Sequence, residues 1–115
     1  MSAGLHPQVR ALVEAAAIEE DGPPDLEAER AAYLQSSVDL GGPLEEVARV
    51  EDVVIPRAGD GRVRARAYWP TVPADALGVL VWLHGGGWYV GDVASFDRVT
   101  RQLANASGAV CLSVD

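Results

Sequence analysis

The 115-residue chain has no lysine, a single cysteine and few basic groups of any kind: nine arginines stand against 17 acidic residues, for a net charge of −8. Each scarcity removes a class of function. Without lysine there is no P-loop, whose glycines must be followed by Lys and then Ser or Thr. So acidic a chain lacks the basic patch that nucleic acid or an anionic membrane surface requires. Cys111 has no partner for an internal disulfide, and its setting in "AVCLSV" predicts a buried, inert thiol in a reducing compartment. No apolar run approaches the ~18 residues of a membrane span. The N-terminus shows no basic stretch leading into an apolar core and a cleavage site, so a cytoplasmic protein is expected.

What is present is enough for a core. Hydrophobic residues make up 49% of the chain, and its length suits one modest domain. The acids are unevenly placed, 13 with four arginines in residues 1–60 but four with five arginines in residues 61–115. The chain changes character near its middle.

From Pro7 to Glu20, Val9, Leu12, Val13, Ala16 and Ala17 recur at helical spacing, and "DGPP" stops that helix. A second helix is expected from about Pro24 to Asp39, with Leu26, Tyr33, Leu34 and Val38 as a looser stripe and "GGP" at its end. These two acidic helices have little apolar surface between them and should pack on something else. After Gly42 the pattern turns to strands, "VARVEDVVIP" and "GRVRARAYWP", joined through "RAGDG". In the second, Val63, Ala65, Ala67 and Trp69 should face a core, while Arg62, Arg64, Arg66 and Tyr68 form a solvated face. "VLVWL" at 79–83 has no polar alternation and reads as a strand covered on both faces. Ser95 can cap a helix from Phe96 to about Ser107, Gly108 ends it, and "AVCLSV" is a further apolar strand. Strand, loop, helix, strand is a βαβ unit with parallel strands. On this reading the last strand would be left as a bare apolar edge.

Between the buried strand and the third helix lies "HGGGWYVGD", residues 84–92. Three successive glycines cost conformational entropy and forgo packing. A tight turn is one reason to keep them, and close approach of backbone N–H groups to a ligand is the other. Gly85, Gly87 and Gly91 do not make the dinucleotide fingerprint, because their spacing is wrong and no helix starts directly on them. An oxyanion hole fits better, since acyl transfer develops a negative oxygen that two rigid N–H groups can hold.

"HGGGW" at 84–88, then Gly91-Asp92, then Asp97 before a helix, resembles the hormone-sensitive-lipase-like branch of the α/β-hydrolase esterases. The resemblance extends along the chain and implies an N-terminal portion of an α/β-hydrolase fold: two cap helices, two antiparallel leading strands, then the βαβ unit of a mostly parallel sheet. It divides the chain into a cap segment, residues 1–43, and the first part of the core, residues 44–115. It implies that the N–H groups of Gly86 and Gly87 are oxyanion donors and that Gly85 allows the turn. His84 then orients the loop rather than acting as base, and Asp92 and Asp97 fix the loop and the helix N-terminus. Trp88 either walls the acyl pocket or simply packs. Where the family often has Thr-His before the second aspartate, this chain has Ser95 and Phe96. No cofactor or metal is implied, and the substrate class is a small carboxylic ester.

The family's mechanism also needs a serine on a G-x-S-x-G elbow, then an acid, then a histidine. Ser2, Ser36, Ser37, Ser95, Ser107 and Ser113 all lack that setting, and His6 is the other histidine besides His84. The chain is therefore expected to be the leading part of a longer ester hydrolase, inactive alone and partnered by the rest of that enzyme. A ligand-binding receptor on the same scaffold and a small complete interaction domain are the rival readings.

Overall fold

The computed structural model describes residues 4–16, 22–75 and 78–115. Helix α1 (Pro7–Ala16) follows the expected stripe, but none of its residues is buried and Val9, Leu12 and Val13 are exposed. The remainder of the expected helix, Ala17 to Glu20, lies outside the described residues. Helix α2 (Leu26–Leu40) starts two residues later than its sequence suggests. Asp25 is its cap: the carboxylate accepts the N–H groups of Glu27 and Ala28 at 3.1 and 3.2 Å.

Four strands follow, β1 (Arg49–Pro56), β2 (Arg62–Trp69), β3 (Val79–Leu83) and β4 (Val110–Val114), with helix α3 (Asp97–Ser107) between the last two. They form one sheet in the order β1-β2-β4-β3; β1, β2 and β4 run antiparallel in turn, and β3 lies parallel to β4. The fold class read from the sequence stands, with one correction to the strand order. The strand left at the edge is β3, not β4, because β4 inserts between β2 and β3. Nor is β3 covered on both faces: Val79, Val81 and Leu83 are 65%, 58% and 73% exposed, while Leu80 and Trp82 pack against the cluster under α3.

The arginine face of β2 is also not uniformly wet. Register places Tyr68 beside Cys111 of β4, and α3 closes over both, so Tyr68, Cys111 and Ala104 form a fully buried centre ringed by Val47, Leu80, Trp82 and Leu103. Burying an aromatic ring of that size contributes about 2 kcal/mol or more. The same burial pushes the Cys111 thiol up from its ordinary pKa. Farther along that face, Arg66 grips Asp52 of β1 through two bonds of 2.6 and 3.2 Å, and Arg64 pairs with Asp115 at 2.8 Å. The carboxyl of Asp52 is held below its usual range by the Arg66 guanidinium.

Helix α3 ends where Gly108 adopts the left-handed conformation at φ 67°, its N–H returning to the Ala104 carbonyl at 3.0 Å. Its start differs from the expectation: the cap position is Phe96 and no side chain caps it. Ser95 instead turns its own N–H and hydroxyl toward Asp92. Side chains of α3 also tie down the segment that follows α2. Arg98 donates to the Gly42 carbonyl at 2.9 Å and Asn105 to Glu45 and Glu46.

Candidate active site

Strand β3 delivers the chain into residues 84–91, which with Arg30 line an open cleft of about 590 Å³. The loop's shape follows from where its carbonyls are held. The Gly86 carbonyl accepts both the Tyr89 and the Val90 N–H, at 3.2 and 3.0 Å. Gly86 and Gly87 take φ values of 137° and 60°, a region that side chains strain to enter. A Cβ on Gly86 would also run into the Val90 carbonyl oxygen. Gly85, by contrast, has no positive φ and open space where its Cβ would be, so the turn does not depend on it in the way expected. Gly85 contributes its carbonyl.

That carbonyl lies 2.8 Å from His84 Nδ1. A carbonyl oxygen can only accept, so Nδ1 carries the proton and the imidazole is a donor to the loop. In a trans peptide the C=O and the next N–H point in opposite directions, and no peptide of the described residues is cis. Holding Gly85 O therefore directs the Gly86 N–H away from His84, and holding Gly86 O directs the Gly87 N–H away from Tyr89 and Val90. Among the described residues no acceptor takes either N–H, and that of Trp88 is likewise unengaged.

The histidine is seated by aromatic rings. His84 stacks on Phe96 with centroids 5.7 Å apart and planes 24° from parallel, and Phe96 in turn touches Trp82 and Tyr33 at 6.0 and 6.3 Å. Phe96 thus supplies a flat apolar seat for the imidazole.

The two aspartates do different work. Burial raises the Asp92 carboxyl, but the Ser95 hydroxyl and N–H at 2.6 and 2.7 Å, with help from His84 and the Ala94 amide, outweigh it and hold the group below its ordinary value. Asp97 bridges helix and sheet: one oxygen accepts the Tyr68 hydroxyl at 2.7 Å and the other the Arg101 Nε at 2.8 Å. Burial, together with the negative charge of Asp97, pushes the Tyr68 hydroxyl up to about 12. Trp88 borders the cleft, but its side chain is fully exposed and its φ of 66° is unusual for a non-glycine residue.

The structure brings together His84, Gly85, Gly86, Gly87 and Trp88 around the cleft, with Asp92 next to Ser95 on the way out and Asp97 at the start of α3. Sequence reasoning missed Arg30, whose Nε donates to the Tyr89 carbonyl at 2.6 Å from 59 residues away, and Tyr68, the partner of Asp97. Neither carries a local motif; the β2 alternation placed Tyr68 on a face that only α3 shows to be covered.

No nucleophile and base meet among the described residues. The hydroxyls of Ser36, Ser37 and Ser107 return to carbonyls of their own helices, Ser95 is held by Asp92, and Ser113 is buried in β4. His6 accepts the Gln8 N–H, and His84 faces Gly85. The arrangement can receive a negatively charged oxygen, but it has nothing here to make one.

Residues 80–115 match a protein family described as alpha/beta hydrolase fold. Carboxylesterase NlhH of Mycobacterium tuberculosis is 39% identical over 67 residues, which cover 58% of this chain and 21% of that protein. Esterase LipI of the same species is 37% identical over 75 residues, covering 64% of this chain and 23% of its own. Among solved structures, the hyperthermophilic esterase from the archaeon Pyrobaculum calidifontis superposes with a TM-score of 0.76 at 39% identity, over 96% of this chain and 36% of that one. An ester hydrolase from the Lake Arreo metagenome gives 0.76 at 29% identity, over 96% and 37%. The chain thus spans about a fifth of the length of the sequence relatives and about a third of the solved structures.

Proposed function

We propose that this chain, part of an α/β-hydrolase fold, supplies the oxyanion-binding side of a serine-dependent carboxylic-ester hydrolase. One observation carries the reading: the N–H groups of Gly86 and Gly87 are both aimed away from anchored carbonyls, and neither has an acceptor among the described residues. The esterase relatives favour the same chemistry. In it a serine oxygen adds to the ester carbonyl, the carbonyl oxygen takes the negative charge between the two glycine amides, and collapse expels the alcohol to leave an acyl-enzyme that water hydrolyses. Each such amide donor contributes about 3 kcal/mol to transition-state stabilisation. The substrate is a small carboxylic ester, and no cofactor enters.

The serine, acid and histidine are supplied by polypeptide outside this chain. The bare edge of β3, with Val79, Val81 and Leu83 exposed along one face, is where that polypeptide packs. Residues 1–43 form the cap segment and residues 44–115 the core, joined where Arg98 and Arg101 hold the carbonyls of Gly42 and Glu45. The test is turnover of a short-chain aryl ester. The whole protein should hydrolyse it and lose that activity to a serine-directed inhibitor, whereas the 115-residue chain alone should not. Inhibitor-sensitive turnover by the chain alone, or an inert whole protein, overturns the proposal.

A further inference from the structure

Helix α2 reaches the glycine loop at one point of direct hydrogen bonding, the 2.6 Å contact from Arg30 Nε to the Tyr89 carbonyl. The peptide joining Tyr89 to Val90 is therefore held at both ends, because its N–H donates to the Gly86 carbonyl at 3.0 Å. Gly86 O in turn belongs to the peptide that carries the Gly87 N–H. A planar trans peptide passes orientation from one end to the other, so the guanidinium of Arg30 constrains the direction of the Gly87 amide through two peptide planes.

A second branch runs from the same helix. Tyr33 lies three residues beyond Arg30, on the same side of α2, and touches Phe96, on which His84 stacks. His84 holds the Gly85 carbonyl and with it the Gly86 N–H. One turn of α2 thus stands behind both amides, and of the two branches the Arg30 branch is made of direct hydrogen bonds throughout.

We propose that Arg30 is a positioning residue for the Gly87 amide, setting the oxyanion loop from the cap helix by way of the Tyr89 carbonyl. The catalytic meaning of this rests on the reading of Gly87 as an oxyanion donor, but the structural coupling does not. Arg30 is exposed and makes no buried contact, so Arg30→Gln should leave the sheet intact. In the 115-residue chain, amide exchange followed by NMR should show Val90 exchanging at least tenfold faster in Arg30→Gln, and the Gly87 amide resonance should move. Leu112 and Val114 in β4 should keep their protection, and Arg30→Lys, which retains a cationic donor, should fall between. In the whole protein the same substitution should lower kcat for an aryl ester about tenfold with KM within about twofold, and lysine should restore part of it. Unchanged Val90 exchange and Gly87 resonance overturn the assignment, as does loss of protection across β4, which would make Arg30 a general stability residue. A faster Val90 in a protein that hydrolyses no ester would uphold the role of Arg30 and refute the enzymatic reading instead.

Discussion

His84 lies face to face with Phe96, their ring centroids 5.7 Å apart, while its Nδ1 reaches the Gly85 carbonyl at 2.8 Å. The stack sets the plane of the imidazole and the hydrogen bond sets the plane of the next peptide, whose N–H is that of Gly86. His84→Ala removes the donor and should lower kcat of the proposed ester hydrolase about fivefold, the effect of losing one net hydrogen bond of about 1 kcal/mol. Asn has an amide nitrogen near the place of Nδ1, so His84→Asn should keep most of the activity. Equal rates for His84→Ala and the parent protein in a steady-state assay would refute this role.

Gly85 and Gly86 are neighbours with opposite tolerance. An added methyl at Gly86 meets the Val90 carbonyl oxygen and must be carried at φ 137°, whereas at Gly85 it meets open space without a positive φ. Gly86→Ala should cost about 2–3 kcal/mol in urea unfolding, and Gly85→Ala should stay within about 0.5 kcal/mol. Reversal of that order would contradict the loop geometry.

Trp88 holds a left-handed backbone while its indole touches solvent only. Replacing it with glycine removes a strain of about 1 kcal/mol and forfeits no packing. Trp88→Gly should therefore raise the urea midpoint of the chain, and a lower midpoint would show that the indole makes contacts in solution.

The Tyr68 hydroxyl, buried and bonded to Asp97, keeps its proton to about pH 12, whereas an ordinary tyrosine loses it near 10. A pKa raised on folding means that stability is complete below pH 10 and drains away as pH climbs toward 12, by about 2–3 kcal/mol across that window. Tyr68→Phe should flatten this alkaline limb and cost about 1 kcal/mol at neutral pH, where Asp97 loses a donor. Chemical unfolding at pH 8, 10 and 11 reads both effects, and an alkaline limb unchanged in the variant would remove Tyr68 as its source.

Local chemistry determined much of this molecule from sequence alone. The alternation of Val63 to Ala67, the stripe of α1 and the glycine stop of α3 each depend on residues within a few positions of one another. The same holds for the candidate site, because His84 to Gly87 build their turn largely from their own carbonyls and amides. Tertiary structure decided what covers what. That β4 enters between β2 and β3, and that α3 seals Tyr68 while the opposite face leaves Val81 bare, is not encoded in the apolar runs of β3 and β4. Arg30 reads as one more charge on an acidic helix until folding sets it against the Tyr89 carbonyl, 59 residues along the chain. Periodicity reports which side of an element is apolar; only packing in three dimensions selects the partner that meets it.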